Sequence, residues 1–343
     1  MKHLLATCIL LLSALKAHAV GLQVLDIPGP GSKPISLAIW YPSQAGPQAV
    51  NLGTFSQDVA ANGAIEGSGL PLVLISHGTG GYKFSHHDTA LALANAGFIA
   101  VALTHPGDNY ADQSEALNIL ERPKHLVMAL DYMLKQWPQR DRIAASRVGV
   151  FGFSSGGFTA LVSVGGEPDL GKVFPHCLAH PDQYVCAVVG KQSAQAIRVP
   201  MAATPALHER RIRAAVIVAP ALGFTFDAAA LRQVSVPIQL WRAGDDAILP
   251  NPWYAEAVRA ALPSAPDYHV VPQAGHFDFL APCTDKLAAV APQICISAPG
   301  FDRAEFHQRF NTDVIAYFRK SLTPLPTAAD AAPAIRSTLP QGR

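Results

Sequence analysis

The chain has 343 residues, half of them hydrophobic, and a formal net charge of +1. That length suffices for one large core, with room for an added cap. Near-neutral charge with no basic cluster excludes a nucleic-acid-binding footprint and a cationic membrane-surface helix.

Residues 1–19 read as a signal peptide. Lys2 and His3 precede the apolar run Leu4–Leu15, and Ala17-His18-Ala19 supplies a small-x-small cleavage pattern. The run is shorter than the roughly 20 residues that span a bilayer, so no stable membrane anchor is expected. The mature chain then starts near Val20 and is exported, periplasmic or secreted. Loss of Cys8 with the signal leaves Cys177, Cys186, Cys283 and Cys295. In an oxidising compartment the first reading is two local disulfides, 177 with 186 and 283 with 295. His176 and His180 flank Cys177, but the spacing fits no standard zinc motif, so neither metal nor cofactor is expected.

Gln23–Ile27 and Ile35–Tyr41 have strand character and are separated by the turn-rich Pro28–Ser32. Residues 42–69, rich in Gly, Pro, Asn and Ser, read as a long surface loop. Leu72–Ser76 and Phe98–Thr104 are buried parallel strands by composition, with a helix over Asp88–Ala96 between them. Helical periodicity runs through 114–137, with Leu126, Leu130, Met133 and Leu134 on one side. Val148–Phe151 is a strand followed by a helix from Gly156 to Ser163. Ile212–Ala219, Ile238–Arg242 and Tyr268–Val271 are further strands, and an amphipathic helix over Arg303–Lys320 closes the domain.

This alternation predicts one α/β domain over 20–322, a mostly parallel doubly wound sheet with helices on both faces. Residues 165–210 interrupt the rhythm and read as a cap insertion. The Pro/Ala-rich tail 323–343 reads as disordered.

The chemistry concentrates at strand ends. Gly152-Phe153-Ser154-Ser155-Gly156 follows an apolar strand and opens a helix. A G-x-S-x-G turn of this kind holds its serine in a strained, exposed conformation, and its glycines allow strand and helix to approach. Serine needs a histidine to take its proton and a carboxylate to fix the imidazole tautomer. Asp245 and Asp246 compete for the acid, in the break after Ile238–Arg242. His276, in Ala274-Gly275-His276, follows the last short strand and stands out among thirteen histidines by that context. Ser76-His77-Gly78-Thr79-Gly80-Gly81 follows an earlier strand directly. Its glycines leave backbone N–H groups free for an oxyanion hole, with Thr79 the expected donor, Gly78 the alternative, and Ser155 the second donor. G-x-G-x-x-G and P-loop spacings are absent.

Serine, acid and histidine follow in that chain order, and each of the four parts follows a buried strand. This places the chain among the α/β-hydrolases. It also resembles secreted bacterial dienelactone hydrolase-like proteins and the platelet-activating factor acetylhydrolase group. The likeness covers roughly 21–320 and rests on Ser76–Gly81, Thr104–Asn109, Gly152–Gly157 and Ala274–Cys283. It implies Ser154 as nucleophile, Asp246 as acid and His276 as base. Many α/β-hydrolases carry a proline four residues after the acid, as Asp246 does with Pro250 and Asp245 does not. Dienelactone hydrolases use a cysteine nucleophile, whereas position 154 is serine, which favours carboxylic esters of small molecules, lactones less so. The acetylhydrolase likeness implies short acyl chains, including those of lipids. An exopeptidase and a non-catalytic binding module are the remaining alternatives.

Overall fold

A computed structural model describes residues 19–191 and 207–323. Most of the expected signal peptide, residues 192–206 of the expected insertion, and the tail from 324 lie outside the described residues. Ala19 itself opens the first strand, paired with Ser43 and buried.

The strands are β1 (Ala19–Ile27), β2 (Ile35–Ser43), β3 (Gln48–Asn51), β4 (Ser56–Ala61), β5 (Leu70–Ser76), β6 (Ile99–Thr104), β7 (Ile143–Phe153), β8 (Ile212–Val218), β9 (Ile238–Ala243) and β10 (Asp267–Val271). The helices are α1 (His87–Asn95), α2 (Glu121–Lys135), α3 (Ser155–Ser163), α4 (Val173–Ala179), α5 (Tyr184–Lys191), α6 (Ala255–Ala261), α7 (Asp285–Val290) and α8 (Arg303–Ser321). The strands form one sheet in the order β10-β9-β8-β7-β5-β6-β2-β1-β4-β3. From β10 to β6 every neighbour is parallel, while β2 pairs antiparallel with both β6 and β1.

The near-continuous apolar composition of the central strands follows from cover on both faces. Leu72, Leu74, Val148 and Val150 pack with Leu126, Leu130 and Met133 of α2 and with Phe158 and Leu161 of α3. The alternate residues Val73, Ile75, Phe151 and Phe153 face Leu93 of α1 and Phe306, Phe310 and Phe318 of α8. Among the described residues no helix is long and apolar enough to cross a membrane.

The expected surface loop at 42–69 is wrong. It contains the β3–β4 hairpin, and β4 runs parallel to β1. Apolar alternation is masked there because an inward position of β4 is Gln57, whose side chain accepts from buried Trp40 Nε1 at 3.0 Å. The periodicity assigned to 114–137 holds for α2 alone. Residues 114–120 form successive turns, with Asn118 N–H on Glu115 O and Glu121 N–H on Asn118 O.

The described part of the insertion holds α4 and α5, joined by a Cys177–Cys186 disulfide; Cys283–Cys295 bridges the chain around α7. With its sulfur in a disulfide, Cys177 is unavailable as a zinc ligand. The sequence separations are 9 and 12 residues, so loop-closure entropy limits each bridge to about 3 kcal/mol of stabilisation. Thiol titration of the denatured, unreduced protein is expected to find none of these four cysteines free, and two free thiols would remove one bridge.

Candidate functional site

The chain steps from β5 to β6 on one side and then to β7 on the other. The carboxyl ends of β5 and β7 therefore flank a topological switch point, where open parallel sheets place their binding crevice. Ser76–Gly81 leaves β5 there, and Ser154 follows β7. Asp246 and His276 follow β9 and β10 at the same edge.

Ser154 sits at φ 56°, ψ −118°. A non-glycine residue at positive φ is strained and persists only where its surroundings fix it. Here its N–H donates to Val218 O, and its carbonyl accepts from the N–H groups of Gly157, Phe158 and Ala221. A Cβ on Gly152 would lie 2.0 Å from Gly156 O, and one on Gly156 would lie 1.9 Å from Ser76 O. Both positions need glycine because backbone fills the space.

Ser154 Oγ lies 3.0 Å from His276 Nε2, and His276 Nδ1 lies 2.8 Å from Asp246 Oδ2. With Nδ1 carrying a proton toward the carboxylate, Nε2 is left to accept from the serine hydroxyl. His276 and Asp246 are buried, and Phe153 packs against the imidazole with ring centroids 4.8 Å apart. The second Asp246 oxygen, Oδ1, accepts from the N–H groups of Ile248 (3.0 Å) and Leu249 (2.7 Å). Asp245 is exposed, and among the described residues only its backbone is engaged, with its N–H on Ala274 O at 2.9 Å. Together with Gly244 N–H on Val271 O (2.7 Å), that bond ties the acid loop to the histidine loop.

The histidine loop has its own brace. Asp278 Oδ2 accepts from Gly275 N–H at 2.8 Å, and Oδ1 receives Ser297 Oγ and Arg303 Nε. Arg303 also donates to the Ile294 and Ile296 carbonyls, flanking Cys295. This buried ion pair joins His276 to the disulfide-bridged segment and to α8. Neither Asp278 nor Arg303 was singled out by sequence, since their pairing spans 25 residues and leaves no local pattern.

Thr79 is exposed at the switch point, and Ser155 is buried beside it; their hydroxyl oxygens are 2.7 Å apart. Among the described residues no hydrogen bond occupies the N–H of either. Behind Thr79 lies a buried polar layer: His77, His105 and Asp108, which stand in the motifs Ser76–Gly81 and Thr104–Asn109, and Arg122 and His125, which the sequence did not single out. Arg122 did leave a signal. It falls four residues before Leu126 on the apolar stripe of α2, where a charge demands a partner.

Burial holds the His77 and His105 imidazoles well below the usual histidine range, aided by the Arg122 cation. The same causes push His125 down to about 4, and burial pushes His86 to about 3. The unfolded chain protonates these rings near pH 6.5, whereas the folded chain resists until far lower pH. Their contribution is therefore complete above about 6.5 and is lost as pH falls toward 4. The unfolded state binds more protons throughout that window, which gives a slope of about 1 kcal/mol per pH unit for each histidine. Urea unfolding midpoints are expected to fall steadily between pH 7 and 4.5. A flat midpoint across that range contradicts neutral burial.

The α4–α5 segment rests on the loop that follows the acid. His176 stacks on Phe224 at 3.7 Å, while His176 Nε2 and Tyr254 Oη both meet Gln183 Oε1, at 2.8 and 2.7 Å. Burial, reinforced by the Asp246 carboxylate, raises the Tyr254 phenol above its ordinary pKa.

A profile of the dienelactone hydrolase family matches residues 60–200. Among curated proteins, none matches the sequence. The ferulic acid esterase from Streptomyces cinnamoneus shares the fold with a TM-score of 0.61 at 19% identity, over 94% of this chain and 95% of that one. The chain thus has the α/β-hydrolase fold and, over residues 60–200, is similar to the dienelactone hydrolase family.

Proposed function

We propose that this protein is a serine-dependent carboxylic ester hydrolase that acts on small-molecule esters through an acyl-enzyme. The observation that carries this reading is the hydrogen-bonded line Ser154 Oγ, His276 Nε2, His276 Nδ1, Asp246 Oδ2, with the serine held at positive φ. In the first half-reaction Ser154 Oγ attacks the ester carbonyl carbon as its proton passes to His276 Nε2. The tetrahedral oxyanion is met by the Thr79 and Ser155 N–H groups. Collapse breaks the carbon–alkoxide bond, and the imidazolium returns the proton to the leaving alcohol. Water then repeats the sequence on the acyl-enzyme, releasing the acid and restoring Ser154.

Short acyl groups are the first substrate class, from the acetylhydrolase likeness. The ferulic acid esterase with the same fold makes an aromatic acyl group the second. The two disulfides favour an oxidising compartment, and the apolar run at the N-terminus makes export the proposed route.

Rates on p-nitrophenyl esters from acetate to decanoate, and on methyl ferulate, test the reading. Turnover is expected to fall as the acyl chain lengthens. An enzyme that cleaves none of these, and whose Ser154 resists a fluorophosphonate, is not a serine esterase.

A further inference from the structure

Backbone groups on both sides of Thr79 are held by hydrogen bonds. Gly78 O accepts from Gly81 N–H at 3.0 Å, closing a turn whose third residue, Gly80, lies at φ 73°. That conformation is open to glycine and strained for other residues. His77 Nδ1 lies 2.6 Å from Gly78 O, and His77 Nε2 accepts from the His105 N–H at 3.1 Å. Because Nε2 is an acceptor, the proton sits on Nδ1, and the ring donates to the Gly78 carbonyl. In a trans peptide the carbonyl and the following N–H point in opposite directions. Fixing Gly78 O toward His77 therefore turns the Thr79 N–H away from the protein interior.

The neighbouring groups are tied to one buried ion pair. Gly80 N–H donates to Asp108 Oδ1 at 3.1 Å, Arg122 donates through one terminal nitrogen to Asp108 Oδ2, and through the other to His77 O. Arg122 Nε reaches Thr159 Oγ1 of α3 at 3.2 Å, and the Thr159 hydroxyl donates to Ser155 O at 2.8 Å. The network thus joins the loop of the first oxyanion donor to the helix turn of the second. Thr79 Oγ1 and Ser155 Oγ close the circuit on the other side.

We propose that Asp108, Arg122 and His77 are positioning residues that preorganise the Thr79 and Ser155 N–H groups as an oxyanion hole. This rests on the esterase reading above. Donors fixed before reaction need no reorganisation as charge develops, so loosening them lowers transition-state binding more than substrate binding. The three side chains touch neither substrate nor Ser154 Oγ, and they act through the peptide planes they hold.

The test compares Asp108→Asn, which keeps an acceptor for Gly80 N–H, with Asp108→Ala, and His77→Asn, which keeps a donor for Gly78 O, with His77→Leu. Each is assayed for kcat, KM and inhibition by an alkylboronic acid, whose tetrahedral adduct on Ser154 places an oxygen in the hole. Displacement of one donor is expected to lower kcat by about 10²-fold in the alanine and leucine variants, with KM within about threefold. Boronate affinity falls alongside kcat, and the asparagine variants recover part of both. Should Asp108→Ala fail to fold, the His77 pair decides, since it leaves the ion pair intact. Folded variants with wild-type kcat, or with lowered kcat and unchanged boronate affinity, overturn the proposal. Absence of esterase activity in the wild type would instead overturn the reading on which it rests.

Discussion

Ser154→Ala is expected to abolish ester hydrolysis, lowering turnover by about 10⁶-fold while leaving the melting temperature nearly unchanged. Nucleophile and base work as a unit, so losing the serine Oγ removes as much as losing the whole set. The protein surrounding it has little reason to notice. Oγ meets His276 Nε2 at 3.0 Å, while the backbone bonds that fix the turn come from the Ser154 N–H and carbonyl, which alanine retains. The strain at φ 56° is likewise shared by both residues. Steady-state rates with an activated acetate ester, alongside a thermal melt, make the measurement. Residual activity within about tenfold of wild type would remove Ser154 from the chemistry.

Asp246→Asn carries the second large effect, a loss of up to about 10⁴-fold in turnover. The reason lies in the other carboxylate oxygen. Oδ1 is held by the N–H groups of Ile248 and Leu249, so an asparagine must keep its carbonyl oxygen there. Its amide NH₂ is then presented to His276 Nδ1, where two donors would face each other. The ring answers by moving its proton to Nε2, the atom that has to accept from Ser154. Asp245→Asn offers the control. That side chain is exposed, and a surface change of this kind is expected to stay within about twofold in rate. Kinetics on both variants separate the two aspartates, and a larger loss at 245 would reverse the assignment.

Much of the sheet is legible in the sequence because strands covered on both faces must be apolar throughout. β5, β6, β7, β8 and β9 announce themselves in this way. The ends of β5 and β7 then lead to Ser76–Gly81 and Ser154, the end of β9 leads to the pair Asp245 and Asp246, and His276 follows the less apolar β10. What stays hidden is set by long-range partners. β4 hides because Gln57 faces inward to serve Trp40, and no local pattern records that bond. The pairing of Arg122 with Asp108 joins α2 to the loop after β6, a contact that only the fold creates. The two aspartates show a finer limit. Loop geometry calls for a carboxylate that accepts backbone N–H groups, and by sequence either aspartate of the pair could serve. The structure gives that duty to Asp246 as well, one oxygen for the loop and one for the imidazole.

The α4–α5 segment and Asp246 hang from one stretch of chain. Tyr254, which receives the α4–α5 segment through Gln183, lies on the same connection that carries Asp246 away from β9. A lineage that lengthened this connection to seat a bulkier α4–α5 segment would shift the carboxylate along with it. Diversification of such a scaffold is therefore channelled outward. Phe174 and Leu178, on the open face of α4 and 61% and 70% exposed, are free to drift without reaching the acid. Gln183 and Tyr254, distant from Ser154 in sequence, are tied to that connection, so changes at either are expected to be felt at the Asp246 carboxylate.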